Sequence, residues 1–350
     1  MPSPRTSRST NPRARSSWVR LPDHELLDLR LCDLDLDITR SPLRPRIEQL
    51  QHELERRHLK FKPYFWLSDD WYTPDGVPGV AIPFYLAHPR LAELEKAQMR
   101  EVEGGTPEWC MRILRHEAGH AIENAYRLRR RKRRQQLFGK TSEPYPQHYA
   151  PRPYSKRYVL HLEAYYAQSH PDEDFAETFA VWLTPRSRWR QRYAGWPALR
   201  KLEYVDGLMD ELAGVAAPVR VRRHVDPLPT LKKTLREHYR EKRARYGIES
   251  LRQYDPDLKR LFSAGKEFAR HPTAASFLRQ ARPQLRRKVA ELTGEHQYTI
   301  DRVLDELITR AGELKLRLTR TPQATLLDFG ILLTGQIMRF LRSGRHRVAL

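Results

Sequence analysis

His116-Glu117-Ala118-Gly119-His120 is the stretch of this chain whose residue types and spacing prescribe a reaction. Side chains four apart share one face of a helix, so two imidazoles at this spacing can grip a single divalent ion. Glu117 points about 100° further round the helix. It is badly placed to join the histidines as a ligand and well placed to act as general base on a water beside the ion. A hydrolytic zinc site needs three protein ligands and an open position. The pentad supplies two of them and predicts one zinc per chain. Zinc lowers the pKa of its water towards about 7, which makes hydroxide available near neutrality.

The third ligand has to arrive from another segment. Phe175-Ala176-Glu177-Thr178-Phe179-Ala180 is the best source, because Phe175, Phe179 and Trp182 would pack this helix on the core and carry the Glu177 carboxylate to the metal. Glu173 shares a face with Glu177 and competes for the role. Asp174, one turn before Glu177, is a candidate to hydrogen-bond a ligand from behind. Peptide hydrolysis also needs a donor to the oxyanion. His170, at the mouth of the second helix, is one candidate; Tyr154, Tyr158, Tyr165 and Tyr166 are others. His170 fits equally well as a plain N-terminal cap.

The elements that must position these groups are legible in outline. Thr106 reads as the N-cap of the pentad helix, with Pro107 at its first position and Glu108 complementing the dipole. Met111, Leu114, Ala118, Ile122 and Ala125 give the buried stripe. The helix is expected to run on into Arg127-Leu128-Arg129-Arg130-Arg131-Lys132-Arg133-Arg134. Gly119 costs about 1 kcal/mol against Ala in a helix interior, which suggests that another backbone approaches there. A Pro- and Tyr-rich connector spans 139–158. The second helix begins at Pro171, with acids in its first turn, and ends at Pro185. Upstream, alternating apolar residues at 27–31 and 34–38 predict a strand with a bulge. An amphipathic helix is expected at 46–58, strands at 61–67 and 80–86, and a short helix at 89–99. Beyond Pro227 the chain reads as charged and helical.

Composition limits the alternatives. No run approaches about 18 uninterrupted apolar residues, so no transmembrane segment is expected. The N-terminus has no apolar signal core. Two cysteines, Cys32 and Cys110, make no disulfide framework, and a cytoplasmic location is expected. The net charge of +21 favours an anionic partner, nucleic acid among them, through a disordered basic arm at 1–20 and the basic run that begins at Arg127.

Taken together, the pentad, the segment Ser169-His170-Pro171-Asp172-Glu173-Asp174-Phe175-Ala176-Glu177-Thr178 and the upstream Phe65-Trp66-Leu67-Ser68-Asp69-Asp70-Trp71 and Ala81-Ile82-Pro83-Phe84-Tyr85-Leu86-Ala87-His88-Pro89 resemble the bacterial putative zinc-binding metallopeptidase family, of the gluzincin type. The second motif is also similar to the third-ligand helix of lethal-factor-like zincins. The resemblance covers residues 25 to 225 or so. It implies a zincin-like metallopeptidase domain, with a twisted sheet over the pentad helix, at 21–228; with the α-helical region read from the sequence at 229–350, which the resemblance does not cover, the expected chain is α+β. The resemblance also implies a peptide or protein substrate, which the strand at 80–86 would pair with by β-augmentation. Val181 stands where thermolysin-like gluzincins carry an Asp, so the residues behind the ligands must differ. Two further readings stand beside the peptidase: a nucleic-acid-binding protein on a zincin-like scaffold, or a protease recruited to nucleic acid; and an interaction module built on the amphipathic stretch at Ile300, Val303, Leu304, Leu307 and Ile308.

Overall fold

The computed structural model describes residues 17–146, 149, 152, 155–245 and 255–342. Nearly all of the expected basic arm lies outside them. The described residues are mostly helical with a small sheet. None of their helices is long and apolar enough to cross a membrane.

Two large hydrophobic clusters form among the described residues, one from Trp18 to Tyr239 and one from Leu258 to Ile337, with a small third at Trp66, Val77 and Ala81. Leu228, Leu235 and Tyr239 belong to the first, so helix Leu235–Arg245 packs on the N-terminal unit, beyond the expected division at 228/229. Backbone bonds fix it there: Leu31 N donates to Lys233 O at 3.0 Å, and Leu235 N to Leu29 O at 2.8 Å.

The bulged strand expected at 27–38 does not form. Turns at Leu31–Asp33 and Ile38–Arg40 replace it, with a single bridge from Arg30 to Thr234. Short polar side chains account for this, since they offer the backbone a local alternative to a ladder. Asp37, for example, accepts from Thr39 N at 2.9 Å. The helix expected at 46–58 is Arg44–Glu55, and Pro89–Met99 forms as read.

The sheet of the N-terminal unit is small. β1 (Tyr64–Ser68) and β2 (Gly79–Pro83) are parallel, in register from Tyr64 opposite Gly79 to Ser68 opposite Pro83. On its other side β2 meets the intervening loop, where Ala81 N donates to Tyr72 O at 2.9 Å in an antiparallel bridge. Residues 84–87 turn into a 3₁₀-helix. β2 is wholly buried, so the strand expected to receive substrate is not a free edge.

The pentad helix, Pro107–Tyr126, starts as the sequence dictates: Trp109 N donates to Thr106 Oγ1 at 3.2 Å. It stops short of the basic run, because Arg127 takes a left-handed conformation and the chain turns into a 3₁₀ turn and helix Lys132–Phe138. Helix Pro171–Leu183 crosses the pentad helix at Gly119. A Cβ there would stand 2.8 Å from Ala176 Cα and 3.1 Å from Ala176 O. The missing side chain is what lets the two backbones touch. Gly119→Ala must push them apart, and we expect it to destabilise the fold by about 1–3 kcal/mol, read by thermal unfolding. Unchanged stability would mean that the crossing relaxes freely.

The C-terminal unit packs helices Asp255–Leu261, Ala274–Thr293, Gln297–Glu313 and Pro322–Arg342 around a two-stranded antiparallel pairing of Phe262–Ser263 with Arg317–Leu318. Ile300, Val303, Leu304, Leu307 and Ile308 are buried in its core, so this amphipathic stretch is used internally. Arg100 to Asp301 and Glu101 to His296, each 3.0 Å, join the two units.

Candidate metal centre

The N-cap at Thr106 sets the phase of the pentad helix so that His116, Glu117 and His120 fall in its buried middle. Opposite them lies the first turn of helix Pro171–Leu183, brought close by Gly119. His116 Nε2 and His120 Nε2 are 3.1 Å apart. Glu173 Oε2 lies 2.9 Å from the first and 3.1 Å from the second. Among the described residues, these three form a group able to hold a metal ion.

The donors fit zinc. Ligand atoms sharing a tetrahedral zinc at bond lengths of about 2.0–2.2 Å lie about 3.3 Å apart. The triangle seen here is slightly tighter, and two imidazole nitrogens with one carboxylate oxygen is a set zinc favours. The hydrogen bonding points the same way. His116 Nδ1 lies 2.9 Å from Glu177 Oε1. With that Nδ1–H donated to the carboxylate, the neutral ring presents a lone pair at Nε2. Once the ring gives up its second proton, three potential ligand atoms converge in a buried place, an arrangement that a cation relieves.

Glu177, the third ligand expected from the sequence, is not one of these three residues. Glu173 joins the two imidazoles, and Glu177 stands behind His116. Glu177 lies one turn further along its helix, past the crossing at Ala176, where it meets the outer nitrogen of the ring. Its second oxygen accepts from Leu162 N at 2.8 Å. Asp174 is not at the centre. It faces round the helix to an ion pair with Lys201, and burial lifts its carboxyl to about 6 despite that partner. His170 is a cap: its Nδ1 accepts from Asp172 N at 3.1 Å, and its Nε2–H donates to Glu143 O at 2.8 Å. With both nitrogens engaged, the ring has no proton to offer an oxyanion.

Glu117 is buried beside the histidines. Its Oε2 accepts from Thr73 Oγ1 at 2.8 Å. Burial raises its pKa, against the opposing pull of His116 and His120. Of the tyrosines, Tyr166 is at the centre, its ring centroid 5.4 Å from that of His116. Burial, with the charges of Glu173 and Glu117, holds its phenol well above the ordinary value, so it remains a donor. Tyr158 instead lies under the Lys201 ammonium, 4.5 Å away. Tyr165 adopts a left-handed backbone at the 3₁₀-helix Glu163–Gln168, and Tyr154 lies outside the described residues.

Two contributors escaped the sequence reading. Thr73 sits in the loop between β1 and β2, which Asn124 clamps by donating to Pro74 O and Val77 O at 3.0 Å each. Tyr145, in the connector, donates to Glu173 Oε1 at 2.9 Å. Neither lies on an element whose periodicity announces it; the dense turn residues around Thr73 and the prolines flanking Tyr145 are the only signals.

Three guanidinium groups of the basic run are paired with acids. Arg134 is buried, donating to Glu123 Oε1 at 2.7 Å and Asp172 Oδ1 at 2.6 Å. Arg129 pairs with the same two acids and with Asp75. Arg131 pairs with Glu211 at 2.6 Å. The Arg129 and Arg134 guanidinium groups tie the ends of the two site helices together.

In the metal-free protein, burial disfavours a cationic His116, but hydrogen bonds to Glu173 and Glu177 prevail and hold the ring's pKa up to about 10. Zinc takes neutral imidazole and must displace that proton. Zinc added near neutral pH should expel at least about one proton per chain, and the release should fade as pH rises through about 10. Calorimetric titration in two buffers of different ionisation enthalpy measures it, and zero release near neutrality would contradict a cationic His116.

Residues 93–190 match the model of a family described as "Putative zinc-binding metallo-peptidase". The match spans the pentad helix, the connector and helix Pro171–Leu183. No curated protein and no solved structure matches the chain.

Proposed function

We propose that this protein is a zinc-dependent peptide hydrolase whose metal is held by His116, His120 and Glu173, with Glu117 as general base. The observation that carries the reading is the convergence of three potential ligand atoms within 3.1 Å of one another. The family match at 93–190 supports it. So does the placement of the pentad helix beside a second, carboxylate-bearing helix and beside the loop that meets β2 through one antiparallel bridge.

A zinc ion held there supplies Lewis acidity, polarising the scissile carbonyl and making its water acidic near neutrality. The chain's own residues do the rest. Glu117, its carboxylate fixed by Thr73, takes a proton from the attacking water and delivers it to the leaving amine. The raised proton affinity of this buried group suits it to both halves of that transfer. Glu177 holds His116 in one tautomer and one orientation. Tyr166 is the donor placed to steady the oxyanion. Metal analysis with an unfolded-protein cleavage assay tests the reading. It expects about one zinc per chain and cleavage that stops on chelation. Protein that holds no zinc after reconstitution and dialysis would end it.

A further inference from the structure

We infer that Tyr145 is a positioning residue of the metal centre, holding Glu173 as a one-oxygen ligand and tying the centre's grip on its ion to the fold of the connector. The inference rests on the ligand set proposed above. Glu173 has two oxygens with separate tasks. Oε2 faces both imidazoles, and Oε1 accepts from the Tyr145 hydroxyl at 2.9 Å. A carboxylate oxygen bound in this way is held back from the ion, so the coordination position it would otherwise fill stays open for substrate and water.

Tyr145 is held by more than its hydroxyl. Its ring stacks on His170, with centroids 3.7 Å apart and planes at 13°. His170 is in turn locked by Asp172 N and Glu143 O. Alternate connector residues therefore engage the start of helix Pro171–Leu183: Thr141 Oγ1 donates to Asp172 Oδ1 at 2.9 Å, Glu143 O accepts from His170, and Tyr145 donates to Glu173. The arrangement gives His170 a purpose other than catalysis, as the platform that aims Tyr145.

Cobalt(II) titration of the full chain tests this, because four-coordinate cobalt absorbs visible light far more strongly than five-coordinate cobalt. Tyr145→Phe keeps the ring on His170 and removes only the hydroxyl. It should weaken cobalt binding about tenfold and lower the visible absorbance of the loaded protein as Glu173 Oε1 is released towards the ion. Thr141→Val loses a hydroxyl from the same connector whose acceptor is not a ligand, and should change neither affinity nor spectrum. Wild-type affinity and spectrum in Tyr145→Phe would overturn the inference, as would an equal loss in Thr141→Val. If the wild-type chain takes up no cobalt, the ligand set itself fails, a result distinct from either.

Discussion

Glu117→Gln should keep about one zinc per chain and lose peptide hydrolysis by about 10²–10⁴-fold, the usual worth of a positioned general base. The amide is nearly the shape of the carboxylate, and its oxygen can still accept from Thr73 Oγ1. The change therefore leaves the 2.8 Å anchor and the helix in place. What it removes is the ability to take and return a proton. Zinc content measured beside steady-state kinetics separates the two effects. Full activity with zinc bound would strip Glu117 of the role. Loss of zinc together with activity would show that Glu117 supports the ligands.

The second large effect concerns which acid binds the ion. Glu173→Ala should abolish stable zinc binding, because it removes the oxygen that faces both imidazoles at 2.9 and 3.1 Å. Glu177→Gln should retain zinc with affinity lowered about 10–100-fold, the usual cost of losing a partner behind a ligand. The glutamine can still accept from Leu162 N, so the backbone contact at 2.8 Å survives and the comparison isolates the bond to His116. Equilibrium dialysis of the two variants against wild type decides. The reverse order of affinities would return the ligand role to Glu177.

The contrast between these acids shows what the sequence can and cannot give. The pentad, its N-cap at Thr106, the start at Pro171 and the close approach at Gly119 are local patterns with local physical causes, and each could be read from residue types alone. The choice between Glu173 and Glu177 could not. Both lie on one face, one turn apart, and the crossing at Ala176 decides which of them meets the two imidazoles and which meets the back of His116. The placement of Asp174 and His170 is likewise settled by tertiary contacts. Their partners, Lys201 on helix Leu199–Leu212 and Glu143 O in the connector, come from distant segments that no periodicity predicts. The alternating residues at 27–38 carry a real strand pattern that capping acids such as Asp37 override. Charge misled as well. Arg129 and Arg134 look like surface cations in a run of seven basic residues, and tertiary pairing with Glu123 and Asp172 places them inside.

Two helices touching at a single glycine also carry every donor that faces the ion, two imidazoles from one and a carboxylate from the other. Opening the crossing and releasing the ion are then one event viewed from two ends. If the proposed ligand set holds, chelation should act on this protein as a mild denaturant, with each decade of free zinc above its dissociation constant adding about 1.4 kcal/mol to the folded state.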